Sequence, residues 1–135
     1  MKSVQHIALN CRDLAAQEAF YTKHFGFRRA RVFNQGQPNE FVMLRLDSTC
    51  LELFGASPET ASESGGEQAV GFKHLAFEVP DLEAAAAALR EDGIETGKII
   101  DCSHVLEGMR VCFFNDPDGN RLELMQGYGD QFPAP

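Results

Sequence analysis

The sequence predicts an α+β fold made of two βαβββ modules in tandem, each running strand, helix and then three strands. Three observations carry that prediction. His6-Ile7-Ala8-Leu9-Asn10-Cys11-Arg12-Asp13-Leu14 lies over His74-Leu75-Ala76-Phe77-Glu78-Val79-Pro80-Asp81-Leu82 at a constant offset of 68 positions (74 − 6 and 81 − 13). Leu51-Glu52-Leu53 then returns as Leu122-Glu123-Leu124 at an offset of 71 (123 − 52), which places a three-residue insertion within the second half. Finally, each copy passes from an alternating apolar segment through Asp-Leu into an alanine-rich stretch, and three strand-like runs follow.

Residues 4–10 and 73–79 alternate and carry β-branched or aromatic side chains, as half-buried strands do. Asp13 and Asp81 can each accept hydrogen bonds from the free N–H groups of a first helical turn, so helices are expected over 14–24 and 82–91. Phe20 and Phe25 should face the core from the first helix, and the run from Ala84 to Leu89 should let the second pack closely. Gly26 and Gly93 stand just past the helix ends, where a left-handed residue is wanted. Strands are expected at 28–34, 41–46 and 50–54, then at 96–102, 109–114 and 121–126. Asp116-Pro117-Asp118-Gly119 has Pro second and Gly fourth, the pattern of a type I turn. The reading is a single domain, with module 1 at about 4–54 and module 2 at about 72–126. Between them lies a Gly/Ser/Pro/Glu-rich linker over 55–71, and residues 127–135 form an aperiodic tail.

Composition narrows the function. The 135 residues are 44% hydrophobic with 11 Phe, enough for a packed core rather than a disordered chain. No apolar run is long enough to span a membrane. A formal charge of −8 without a Lys/Arg cluster argues against a nucleic-acid partner. The opening residues carry no charged-then-apolar leader, so a cytoplasmic location is expected. Cys11, Cys50, Cys102 and Cys112 form no C-x-x-C pair and are expected as reduced thiols, Cys50 serving as a small core filler. The expected partner is a small-molecule substrate.

Strand alternation then isolates a constellation. His6 shares a face with Ala8 and Asn10, opposite Ile7 and Leu9, and His74 shares one with Ala76 and Glu78. Glu52 and Glu123 each stand between two leucines that point the other way. Four equivalent strands thus each project one side chain able to bind metal. His6, Glu52, His74 and Glu123 would make a His2Glu2 site for one divalent ion of the Zn, Ni, Co, Fe or Mn type, with two positions left open on a six-coordinate ion. His24 and His104 lack repeat partners and read as surface residues.

These residues resemble the vicinal oxygen chelate superfamily, which includes glyoxalase I, methylmalonyl-CoA epimerase, extradiol dioxygenases, and fosfomycin- and bleomycin-resistance proteins. The resemblance runs from about residue 4 to 126. Its carriers are His6-Ile7-Ala8-Leu9, Asp13-Leu14, Phe20-Tyr21 and Phe25-Gly26-Phe27, then His74-Leu75-Ala76-Phe77, Asp81-Leu82 and the closing run from Phe113 through Asp116-Pro117-Asp118-Gly119-Asn120 to Leu124. It implies a glyoxalase-like fold whose mixed, curved sheets form a metal cup, within one chain or across a homodimer, the expected assembly. It also implies ligands at His6, Glu52, His74 and Glu123.

An acidic ligand in both halves is similar to the pattern of bacterial-type glyoxalase I. The implied activity is a metal-dependent isomerase or lyase of the glyoxalase or epimerase type, with Glu123 as the base and Glu52 as second ligand or partner base. The alternatives are an extradiol-type dioxygenase and a non-catalytic binding protein of the bleomycin-resistance kind. Bacterial glyoxalase I carries an Arg where this chain has Asn10 and an Asn where it has Ala56, so glutathione dependence is not expected. Arg45, alternating with Met43, is the candidate anchor for another anionic group. Asn10 and Glu78, at equivalent positions on the cup rim, complete the candidate substrate contacts, and Glu78 would disfavour a strongly anionic group nearby.

Overall fold

The structure, a computed structural model, describes residues 4–56 and 72–131. Its contacts group into two compact units divided between residues 63 and 64. In the first, β1 (His6–Cys11), α1 (Leu14–Phe25), β2 (Arg28–Phe33), β3 (Phe41–Leu46) and β4 (Thr49–Gly55) form a sheet of order β1-β4-β3-β2 with one helix. The second contains β5 (Leu75–Glu78), α2 (Leu82–Glu91), β6 (Ile100–Asp101), β7 (Arg110–Asn115) and β8 (Arg121–Gln126), in the equivalent order β5-β8-β7-β6. In each unit the first strand runs parallel to the last and the remaining pairs are antiparallel, so both sheets are mixed. The expected α+β architecture of two βαβββ modules is therefore present. Most of the expected linker, and the tail beyond residue 131, lie outside the described residues.

Local chemistry starts and stops the helices as expected. Asp13 and Asp81 are extended N-caps whose Oδ1 atoms accept from Ala16 and Ala84 N–H at 2.9 Å. Gly26 ends α1 at φ +71°, where a side chain would be strained. One sheet face then meets the helix. In unit 1 it carries Val42, Leu44, Leu51, Leu53 and Cys11, all buried, under Gln17, Phe20 and Tyr21 of α1. In unit 2 it carries Cys112, Phe114, Leu122 and Leu124 under Leu82, Ala86 and Leu89 of α2. Each fully buried leucine contributes about 2 kcal/mol to these small cores. None of the four cysteines is in a disulfide, and Cys50 is fully buried.

Three details differ from expectation. His24 is half-buried rather than a surface residue, its ring 5.2 Å from Phe20 and 6.5 Å from Phe25. The strand expected over 96–102 shrinks to β6 and an isolated bridge from Thr96 to Phe114. Arg90, at the end of α2, donates to Thr96 Oγ1 at 2.7 Å and Gly97 O at 3.0 Å, which draws this segment toward the helix and away from a regular ladder. The insertion is also divided. Met43 faces Glu52 and Phe113 faces Glu123, an offset of 70 (113 − 43), so two of the three extra residues precede β7. The third enlarges the β7–β8 hairpin, where Gly119 N–H closes on Asp116 O at 3.0 Å and the buried Asp116 carboxylate accepts from Asp118 N, Asn120 N and Asn120 Nδ2.

Candidate functional site: two histidine–glutamate pairs

Register brings the repeated residues together two by two. The β1–β4 ladder pairs His6 with Cys50 and Ala8 with Glu52, so both candidate ligands rise from the face away from α1. His6 Nε2 stands 3.4 Å from Glu52 Oε2. In unit 2, β5–β8 pairs Ala76 with Glu123, and His74, one residue before β5, places Nε2 3.0 Å from Glu123 Oε2. Two ligands each about 2.1 Å from one ion and about 90–110° apart lie about 3.0–3.4 Å from one another, so each pair has the spacing a shared divalent ion requires. The same spacing serves a charge-assisted hydrogen bond when the imidazole is protonated. Among the described residues no group of three or more His, Cys, Asp or Glu side chains comes together to hold a metal. What the fold assembles is one His–Glu pair in each unit.

Their surroundings differ. The His6 and Glu52 side chains are 42% and 16% exposed, against 27% and 9% for His74 and Glu123, so the second pair is the better shielded from water. The His74 ring meets Phe113 edge-on at 5.5 Å, and the Arg121 guanidinium lies 4.5 Å above the same Phe113 ring. Around His6 the support is polar. Its Nδ1 is in contact with Gln5 Oε1, while Gln5 Nε2 donates to Cys50 Sγ at 3.7 Å. Gln5 Oε1 can only accept, so this contact suits the tautomer with the proton on Nδ1, the one that leaves Nε2 available to a metal ion. The sequence reading missed Gln5, because a glutamine beside a strand histidine carries no signal of its own.

The remaining candidates share the ligand faces without touching the pairs. Arg45 is half-buried on β3, in register with Cys50 on one side and Arg28 on the other. Asn10 and Glu78 are exposed and lie opposite Phe54 and Met125. Four residues beyond each histidine, they are about 13 Å along the strand from it and about 7 Å from the rung of its glutamate. The rung of Asn10 holds a feature the sequence reading did not find. Phe33, Phe41 and Phe54 stack across β2, β3 and β4 with centroids 4.5 Å apart in each step, and Arg31 sits 5.7 Å over Phe33.

Paired βαβββ units, each with a mixed four-stranded sheet and one helix, define the fold class of a known superfamily. The model of the Glyoxalase/Bleomycin resistance protein/Dioxygenase superfamily matches residues 3–124, and the chain belongs to that superfamily. The chain is 37% identical over 131 residues to the uncharacterized protein YwkD of Bacillus subtilis, covering 93% of this chain and 98% of that one. A glyoxalase family protein from Enterococcus faecalis superposes with a TM-score of 0.75 at 34% identity, over 92% of this chain and 97% of that one. The lactoylglutathione lyase of Pseudomonas aeruginosa is 35% identical over 71 residues, 52% of this chain and 38% of the lyase.

Proposed function

We propose that the protein is a metal-dependent isomerase or lyase of the glyoxalase or epimerase type. It would move a proton next to a carbonyl or enediol oxygen of a small substrate. The observation that carries this reading is the pairing of His6 with Glu52 and of His74 with Glu123 at ligand spacing. The similarity to a lactoylglutathione lyase over half the chain points the same way. A divalent ion of the Zn, Ni, Co, Fe or Mn type, held by both pairs from one chain or from two chains of a homodimer, would supply Lewis acidity to the substrate oxygen.

The chain's own groups would do the rest. Glu123, the most enclosed of the four, takes the proton from carbon on a carboxylate oxygen and returns it at the neighbouring carbon. Glu52 completes the ligand set as its partner. Phe113 lies opposite Glu123 and meets the His74 ring edge-on, which limits the access of bulk water to the carboxylate. With Asn10 and Ala56 in place of the glutathione contacts of bacterial glyoxalase I, a substrate other than a glutathione adduct is favoured.

Elemental analysis of the native protein should give about one divalent ion per chain. A panel of hemithioacetals, acyl-CoAs and other α-hydroxycarbonyl or α-acidic compounds in deuterium oxide should reveal deuterium uptake at carbon. Glu123→Gln should reduce that exchange by roughly 10²- to 10⁴-fold, the usual worth of a positioned acid–base group. Substoichiometric metal, or exchange unaffected by Glu123→Gln, would overturn the proposal. Full metal with no exchange on the whole panel would overturn the catalytic role and leave a metal-dependent binding protein.

A further inference from the structure

We infer that Arg28 and Arg45 form a subsite for a carboxylate or phosphate group of the substrate. This deepens the proposed function for that face but does not need the metal. The two arginines are directly opposite on β2 and β3, and Arg45 is opposite Cys50, the partner of His6. One rung therefore reads His6, Cys50, Arg45, Arg28 across the four strands, on the face that carries Glu52. Arg29, opposite Leu44, points to the other face and forms an ion pair with Glu18 of α1 at 2.6 Å, while the register shift after it sets Arg31 opposite Met43. Glu52, the ligand-face carboxylate two residues along β4 from Cys50, is in contact with His6. Among the described residues no carboxylate forms an ion pair with Arg28 or Arg45.

Like charges directly opposite in a sheet are destabilising, and a chain of net charge −8 has acidic residues to spare. An arginine pair beside the candidate ligands with no ion-pair partner among the described residues is therefore best accounted for by an anion that it binds. Two arginines on one rung can each bring N–H donors to the oxygens of one carboxylate or phosphate. Arg45 lies two strand spacings, about 10 Å, from His6, so the substrate would be an acid whose anionic group is several bonds from its reacting carbon.

Metal-free protein titrated separately with inorganic phosphate and with glutarate, and followed by arginine Nε–Hε resonances and calorimetry, tests the subsite. At least one anion should give saturable shifts at Arg28 and Arg45. Arg45→Gln and the exposed Arg28→Gln should each weaken that binding at least tenfold, while Arg29→Gln leaves it within twofold. Tighter binding of phosphate would assign a phosphorylated substrate, and tighter binding of glutarate a carboxylic acid. No saturation with either anion, the same shifts with chloride at equal ionic strength, or equal weakening by Arg29→Gln would overturn the inference. Glu52→Gln should retain the binding of whichever anion the parent takes, whatever it does to metal uptake, so failure of the metal reading and failure of this one give different results.

Discussion

Glu52 and Glu123 occupy equivalent positions, yet Glu123 is the more enclosed because Phe113 and His74 cover it while Met43 and His6 stand over Glu52. That difference favours Glu123 as the base. The two histidines also differ in support: His74 has an aromatic neighbour, His6 an amide. Gln5 is a positioning residue in this account, holding the His6 ring through Nδ1 so that Nε2 faces Glu52. Gln5→Ala should lower metal affinity by roughly 10- to 100-fold, as loss of an outer hydrogen bond to a ligating histidine does. Competition against a chelating dye measures this, and unchanged affinity would remove Gln5 from the site. The shared face of His6 and Glu52, and of His74 and Glu123, was legible in the sequence, because the repeat doubled the signal and alternation separated them from their leucine neighbours. Arg28 was not. Arg28, Arg29 and Arg31 alternate ambiguously, and only the register shift after Arg29 decides which of them share the face of Arg45.

At the scale of elements, α2 shows how the second module is tied together. Gln126, at the end of β8, accepts from Leu82 N–H at 3.0 Å and from Arg110 Nη2 at 2.8 Å, and donates to Pro80 O at 2.9 Å. Arg110 in turn forms an ion pair with Glu83 in the first turn of α2. The hydrogen bond from Arg110, joined by one from the backbone of Glu83 itself, holds the Glu83 carboxyl below its ordinary pKa. A carboxyl whose pKa is depressed by folding contributes stability above its unfolded pKa and loses it as pH falls through the folded value. Glu83→Gln should therefore melt lower than the parent at pH 7, and the gap should close as pH drops below the ordinary carboxylate range. The gap will be small, because the pair is exposed to solvent. Melting curves across pH measure it, and a gap that widens in acid would refute the assignment. The caps and the turn at Asp116 were readable because their chemistry is complete within about four residues. The shortened β6 was not, because Arg90 reaches it from another element.

At the scale of the molecule, each unit repeats one topology and each contributes one His–Glu pair. Neither unit contains the four donors of the proposed site, so under that proposal a metal ion must draw on two pairs. A homodimer sharing them should sediment at twice the monomer mass with metal bound. Removal of the metal should shift the equilibrium toward monomer, since an ion that binds only the assembled site stabilises it by mass action. Sedimentation velocity with and without chelator checks this, and a metal-loaded monomer would assign both pairs to one chain. Among the described residues no helix is long and apolar enough to cross a membrane.

The sequence by itself determined the duplicated βαβββ plan, the helix caps, the hairpin at Asp116, and which histidines and glutamates point away from the helices. Each of those is written in a local period or in a motif a few residues long. Tertiary structure alone decided which side chains meet. His6 reaches Glu52 and His74 reaches Glu123 only through parallel pairing of strands that are far apart in the chain. Phe33, Phe41 and Phe54 become one stack, and Arg28 and Arg45 one rung, only through register. The physical reason is that a strand's own alternation assigns the face of a residue, whereas its neighbour on that face depends on a partner strand and on any shift in pairing between them.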